Sequence, residues 1–199
     1  MSPVYRWAVK WARTVHLYLT LFALGLLLFF AATGFMLNHE DWFSPADPYT
    51  AEQTGVFPVE PLREPDRLAV VERLRADYGA TGPVDAFEAD DDELRVLFKR
   101  PGGQVEAVIR RADGAATVRR KTWGVGGLLM DLHRGKATSG PWHLVIDLVA
   151  GVYLVLAATG LTMWWSLKGR GRYGAAVLLA GSLLSVAVVL VYELSNLRR

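Results

Sequence analysis

LYLTLFALGLLLFFAATGFML, residues 17–37, runs 21 positions without a charged side chain. At about 1.5 Å per helical residue it spans a hydrocarbon core roughly 30 Å thick. A helix packed in a soluble core would show one polar face, and this one shows none. His16 stands just before it and His39 just after it. Two later runs are long enough to do the same: 144–165, whose one charge is Asp147, and 175–194, with Glu193 at its edge. Of the rest of the chain, only 40–136 is polar enough to form a domain outside the bilayer.

Hydrophobic residues make up 52% of the 199, and there is no cysteine. That absence excludes disulfides, covalently attached c-type haem, iron–sulfur ligation and thiolate zinc sites together. The net charge of +2 hides a split: residues 40–136 hold 14 Lys/Arg against 18 Asp/Glu, a balance of −4, which leaves +6 for the remainder. A domain of that charge is a poor nucleic-acid binder, so no nucleic-acid partner is expected. Arg6, Lys10 and Arg13 precede the first span, and Lys168, Arg170 and Arg172 fill the loop between the second and third. The positive-inside rule places both groups in the cytoplasm, with the N-terminus, and places 40–136 outside, in the periplasm of a bacterial inner-membrane protein. Arg198 and Arg199, on the opposite side, are outnumbered. The apolar run is too long for a signal-peptide h-region, and no clear small-x-small site follows it, so it reads as an uncleaved anchor.

The expected fold class is therefore membrane α-helical, with three transmembrane helices and a small extracytoplasmic α+β domain between the first and second. In order, 1–14 is a cytoplasmic amphipathic approach and 15–38 the first transmembrane helix. Residues 39–141 are the outer domain with its linkers, and 142–166 the second transmembrane helix. A cytoplasmic loop, 167–174, leads to the third, 175–195. Inside the domain, Ser44-Pro45-Ala46-Asp47-Pro48 stops a helix, and residues up to Pro61 read as extended or irregular. Pro65–Tyr78 carries apolar residues at helical spacing and is closed by Gly79. Four strands are expected at Pro83–Glu88, Leu94–Arg100, Gln104–Arg110 and Ala115–Arg120, the last short and exposed. Turns at Asp90-Asp91-Asp92, Pro101-Gly102-Gly103 and Asp113-Gly114 separate them. The glycine-rich stretch Thr122–Pro141 leads back into the membrane. The spans also echo each other. His16, Gly25 and Ala31-Ala32-Thr33-Gly34 in the first correspond to His143, Gly151 and Ala157-Ala158-Thr159-Gly160 in the second.

All four histidines, His16, His39, His133 and His143, lie at or near span ends. Imidazole is a common axial ligand for a haem that lacks covalent attachment, and facing helices supply it on both sides of the porphyrin. His16 and His39 are roughly 35 Å apart along one helix and cannot share an iron. His39, His133 and His143 share the outer level, three candidates for two positions, and His16 stands alone at the inner side. His143, Asp147 and Gly151 recur every four residues and so share one helix face. An intramembrane carboxylate normally faces protein, so that face is expected to point into the bundle. Asp147 could accept the second N–H of a ligating histidine, bond a haem propionate, cap the second span, or pair with Arg134 or Lys136.

Arg13-Thr14-Val15-His16 and Thr33-Gly34 with Leu37-Asn38-His39 bound the first span. Asp131-Leu132-His133-Arg134-Gly135-Lys136 precedes the second, which holds Asp147, Thr159-Gly160-Leu161 and Trp164-Trp165. On these residues the chain resembles the PepSY-associated transmembrane helix family, and the helix-plus-meander domain is similar to a single PepSY-type unit. The resemblance implies a b-type haem protein, since some larger relatives hold haem on helix histidines and are associated with ferric-siderophore reduction. His16, His39 and His133 match family positions and His143 looks less typical. The expectation that follows is haem b held by His39 and His133, with His143 the substitute for either, passing single electrons toward the periplasm. Three spans barely enclose a porphyrin, which makes a homodimer a candidate assembly. Donor and acceptor are open. The rival expectation is a membrane-tethered PepSY-like module that binds a periplasmic protein partner without a cofactor.

Overall fold

A computed structural model describes the chain apart from residues 1, 45–46, 59–61, 63–65, 168–170 and 198–199. The expected linker prolines Pro45 and Pro61, the helix start at Pro65, and the cations Lys168, Arg170, Arg198 and Arg199 thus lie wholly or partly outside the described residues. Three helices are long and apolar enough to cross a membrane: Pro3–Asn38 (α1), Gly140–Trp165 and Arg172–Asn196. α1 is one uninterrupted helix of 36 residues. The expected approach at 1–14 is therefore its first turns, because nothing between Pro3 and Leu17 breaks helical geometry.

After α1 comes a single turn, Glu40–Phe43 (α2), then strand Tyr49–Val56 (β1) and helix Arg67–Tyr78 (α3). Strands Val84–Ala89 (β2), Glu93–Arg100 (β3), Gly103–Arg110 (β4) and Ala115–Thr122 (β5) follow. Helix Gly124–Arg134 (α4), the second span Gly140–Trp165 (α5) and the third helix Gly171–Leu197 (α6) complete the chain. The five strands form one sheet in the order β1-β5-β4-β3-β2, every neighbour antiparallel.

The sequence explains the sheet face by face. Leu94, Val96 and Phe98 of β3 and Val105, Ala107 and Ile109 of β4 are all buried, while their neighbours Arg95, Lys99, Gln104 and Glu106 are not. Period-two alternation of this kind makes one face apolar. α3 supplies the matching stripe, with Val70, Val71, Leu74 and Tyr78 buried. Asp66 caps its start, accepting from the Leu68 and Ala69 N–H groups, and Gly79 ends it in the left-handed region at φ 62°. Only glycine takes that conformation without strain. Arg120 Nη2 donates to Tyr78 O at 2.9 Å, which satisfies a carbonyl at the same helix end.

Two elements go beyond the reading of the sequence. Tyr49–Val56 is a full strand, paired along its length with β5 from Tyr49↔Thr122 to Val56↔Ala115. That pairing makes β5 an interior strand of eight residues, where a short exposed one was expected. The glycine-rich stretch after Trp123 is helical, as α4.

By contacts the chain divides into two units. One comprises Met1–Leu24 with Val149–Arg199, the other Gly25–Leu148. The described elements of the first are helical segments; the second holds the sheet, α3, α4 and the segments of α1 and α5 next to them.

Candidate functional site

In the unit of residues 25–148, α4 is fixed at several points. A Cβ at Gly126 would collide with the Phe43 carbonyl oxygen, so this glycine lets α4 approach α2 closely. Gly102, at the β3–β4 turn with φ 70°, lies against Leu128, where a Cβ would come within 2.8 Å of the Leu128 backbone. Gly102 N–H donates to Asp131 Oδ2 at 2.9 Å, and Trp123 N–H donates to Gly102 O at 3.0 Å. Arg134 Nη2 meets Glu40 Oε2 at 3.0 Å. Trp142 Nε1–H donates to Leu132 O at 2.8 Å, tying the start of α5 to the end of α4.

This framework presents His133 to α1. Its Nδ1 lies 2.8 Å from Thr33 Oγ1, and its ring packs beside Phe30 at 5.2 Å between centroids. Thr33 is 2% exposed, the only polar residue buried as a whole among the described residues. Its hydroxyl donates to Phe29 O at 2.7 Å. A hydroxyl has one proton, so once it is given to Phe29 the oxygen can only accept, and His133 must be the donor. The neutral ring is then protonated on Nδ1 and carries its lone pair on Nε2.

His16 is held the same way in the other unit. Its Nδ1 lies 2.9 Å from Thr159 Oγ1, whose hydroxyl donates to Val155 O at 2.7 Å. The same deduction gives Nδ1–H and a bare Nε2. His39 reaches that state by another route: its Nδ1 lies 3.1 Å from Phe35 O, and a carbonyl can only accept. The His39 ring sits between Phe35 and Trp42, at 4.4 and 4.3 Å.

His143 is the exception. Thr138 donates its proton to Gly135 O at 2.8 Å, so its oxygen accepts from His143 Nε2–H at 3.1 Å. The nitrogen farthest from the backbone is thereby occupied. Asp147 is exposed, as are His143 and Gly151, and it has no hydrogen bond or ion pair among the described residues. Asp147 bonds no histidine among the described residues. Burial on α5 falls instead on Val149 and Val152.

Among the described residues no two of the four imidazoles touch each other, and no three His, Asp or Glu side chains cluster as a metal-ion site. Both threonine partners escaped the reading of the sequence, in which Thr33 and Thr159 figured only in the echo between the spans and in the family resemblance. A cavity of about 240 Å³ adjoins α4, lined by Glu40, Ser44, Trp123, Asp131, Arg134 and Lys136 among others. The Ser44 hydroxyl is buried there with no partner among the described residues.

The model of a family described as "Putative PepSY_TM-like" matches residues 10–194. No curated protein and no solved structure matches the chain.

Proposed function

The chain belongs to the PepSY_TM-like family, and from that premise we propose that it is a b-type haem protein of the bacterial inner membrane. Its N-terminus is cytoplasmic, residues 40–136 are periplasmic, and it passes single electrons outward, with ferric iron or a ferric chelate as a fitting acceptor. Arg6, Lys10 and Arg13 at the start of α1 support the orientation.

The observation that carries the reading is the hydrogen-bond pattern at the imidazoles, from which their protonation follows. His39 and His133, in one unit, both donate from Nδ1 and leave Nε2 without a partner among the described residues. An axial imidazole needs that form: the metal takes one nitrogen and the protein holds the other. The donor set fits the group, and it ranks the candidates. His143, with Nε2 given to Thr138, fits poorly as a substitute. The haem would supply reversible one-electron exchange. The chain's own residues do the rest: Thr33 and Phe35 O hold the two rings, and Phe30, Phe35 and Trp42 shield them with apolar surface. Two histidine ligands leave no open position on the iron, so such a centre carries electrons rather than binding substrate.

Purification with added haem, followed by a reduced-minus-oxidised spectrum, tests this. A low-spin bis-imidazole signature is expected, lost in His39→Ala and His133→Ala and kept in His143→Ala. A colourless protein ends the proposal.

A second reading draws on a different observation. The sheet domain has a complete core of its own, from Phe57 and Leu74 to Val118, and the cavity with its unpaired Ser44 hydroxyl lies beside it. A tethered module that binds a periplasmic partner would use these and no cofactor. If alanine at all four histidines leaves cellular function intact, that reading wins.

A further inference from the structure

We propose that the two Thr-Gly pairs are histidine sockets. Thr33 and Thr159 are positioning residues that fix which nitrogen of His133 and His16 carries the proton. Gly34 and Gly160 clear the space each ring occupies.

The sockets are alike atom by atom. In each, a threonine hydroxyl gives its proton to the carbonyl four residues earlier, at 2.7 Å, and receives one from a histidine Nδ1, at 2.8 or 2.9 Å. In each, the next residue is a glycine over which the ring's Cε1 edge lies. A Cβ would sit 3.3 Å from His133 Cε1 at Gly34 and 3.4 Å from His16 Cε1 at Gly160. At Gly34 that separation is tighter than ordinary contact, so a larger residue would press on the His133 ring; at Gly160 it is already van der Waals contact, which leaves no spare room beyond a methyl. The two sockets belong to separate units of the molecule, and both come from the same tetrapeptide, Ala-Ala-Thr-Gly.

The pairing is also exchanged. The first span's Thr33 takes a histidine that precedes the second span, and the second span's Thr159 takes the histidine that precedes the first. The internal echo in the sequence is therefore real in the structure, with a different second histidine: His133, not His143, is the counterpart of His16.

A serine or threonine in an apolar helix commonly bonds back to its own helix and does nothing more. Here that bond has a consequence, because it spends the only hydroxyl proton and turns the oxygen into an obligate acceptor. The imidazole facing it has no other way to satisfy the contact. Each ring is thus held in one tautomer before any ligand arrives, with Nε2 able to bind a metal or accept a hydrogen bond. What Nε2 is used for rests on the haem reading; the tautomer does not.

Side-chain ¹⁵N histidine spectra of the full chain in detergent, without haem and at about pH 8.5, where imidazole is ordinarily neutral, decide the matter. In the wild type, His16 and His133 should each show a protonated Nδ1 and a bare Nε2. Thr33→Val keeps the shape and removes the acceptor; the Nδ1–H to Nε2–H ratio of His133 should fall about fivefold, the worth of one neutral hydrogen bond, with His16 unmoved. Thr159→Val should do the reverse. Thr33→Ser and Thr159→Ser should restore the wild-type pattern. Wild-type rings protonated on Nε2, or valine variants with unchanged ratios, would overturn the sockets, and the wild-type spectrum alone can do so if a variant folds poorly. With haem added, loss of the Thr33 acceptor should make the ligand less basic and raise the midpoint potential. A chain that shows the sockets but takes up no haem defeats the electron-carrier reading alone. A haem-loaded Thr33→Val with the wild-type potential and tautomer defeats the sockets alone.

Discussion

His133 and His16 give the same proton to the same kind of threonine, yet different material holds each ring in place. His16 and Thr159 sit on α1 and α5, and apart from the helix's own backbone bonds the other hydrogen bond at His16 among the described residues is Thr20 Oγ1–H to its carbonyl, at 2.6 Å. His133 sits on the eleven-residue α4, which is bonded to the β3–β4 turn through Asp131, to α2 through Arg134 and to α5 through Trp142. Thr33 is fully buried and Thr159 is not. One socket is therefore a joint between helices. The other is a joint between a span and a folded domain, and it should feel what happens to that domain.

The largest test removes the domain's core. Phe98 is 0% exposed, between β2 and β4. Phe98→Ala should cost about 3–5 kcal/mol, by lost burial and the cavity left behind. For a domain this small that is most of its stability. The His133 signals should broaden or revert to an unlocked pattern while those of His16 stay, and a denaturant melt of the domain should move to lower midpoint. Equal loss at both histidines would erase the distinction between the sockets.

A smaller break acts on the linkage alone. Gly102 has φ 70° and lies against the Leu128 backbone. Gly102→Ala combines backbone strain with a collision, a cost of about 2 kcal/mol. The core of the sheet should survive, as read by its amide spectrum, while α4 shifts and the Nδ1–H fraction at His133 falls. An unchanged His133 would mean that α1 alone defines the socket.

How much of this the sequence discloses depends on which force shapes each part. The spans are legible because twenty apolar residues have few other uses. Strands β3 and β4 are legible because one face is buried and alternation records it. β1, YTAEQTGV, is exposed at seven of eight positions, so no periodicity marks it; only its register on β5 makes it a strand. α4 contains three glycines in its first four positions, a composition that disfavours a helix by about 1 kcal/mol each relative to alanine. Two of them are there because Phe43 and Trp123 come too close for a side chain. Tertiary contact overrides propensity at that point, and single-sequence reasoning has no access to the contact. The histidines stood out by chemistry, and so did the repeated Ala-Ala-Thr-Gly. What the chain order could not say is which ring reaches which hydroxyl, because the exchange between spans is decided by packing.

Next in size are the glycines beside the rings. Gly34→Ala and Gly160→Ala each place a methyl 3.3–3.4 Å from a histidine Cε1. At Gly34 the ring must yield by a few tenths of an ångström, at about 1 kcal/mol, whereas at Gly160 the methyl only reaches van der Waals contact. Gly34→Ala should lengthen the His133 Nδ1–Thr33 Oγ1 bond and weaken the tautomer preference of His133, and Gly160→Ala should move His16 little. The effect should be larger at Gly34, where Thr33 is sealed and Phe30 stands at the ring's side, than at Gly160, whose neighbour Thr159 is less enclosed. Equal effects would mean that enclosure adds nothing and the two sites are interchangeable.

The smallest change should come from the most visible charge pair. Arg134 and Glu40 meet at 3.0 Å, but their side chains are 39% and 52% exposed. Water and salt screen such a pair, and ordering two long side chains offsets much of its attraction. Glu40→Gln should therefore cost no more than about 0.5 kcal/mol, shrinking further as salt is raised, and should leave His133 in its Nδ1–H form. The reasoning is that α4 is already located by groups that cannot slide: a glycine pressed on the Phe43 carbonyl, the Gly102 amide on Asp131, and the Trp142 indole on Leu132 O. Were the tautomer of His133 to move with Glu40→Gln as far as it does with Gly102→Ala, the surface charge would be steering the helix, and the close-packed contacts would have to be demoted to its followers.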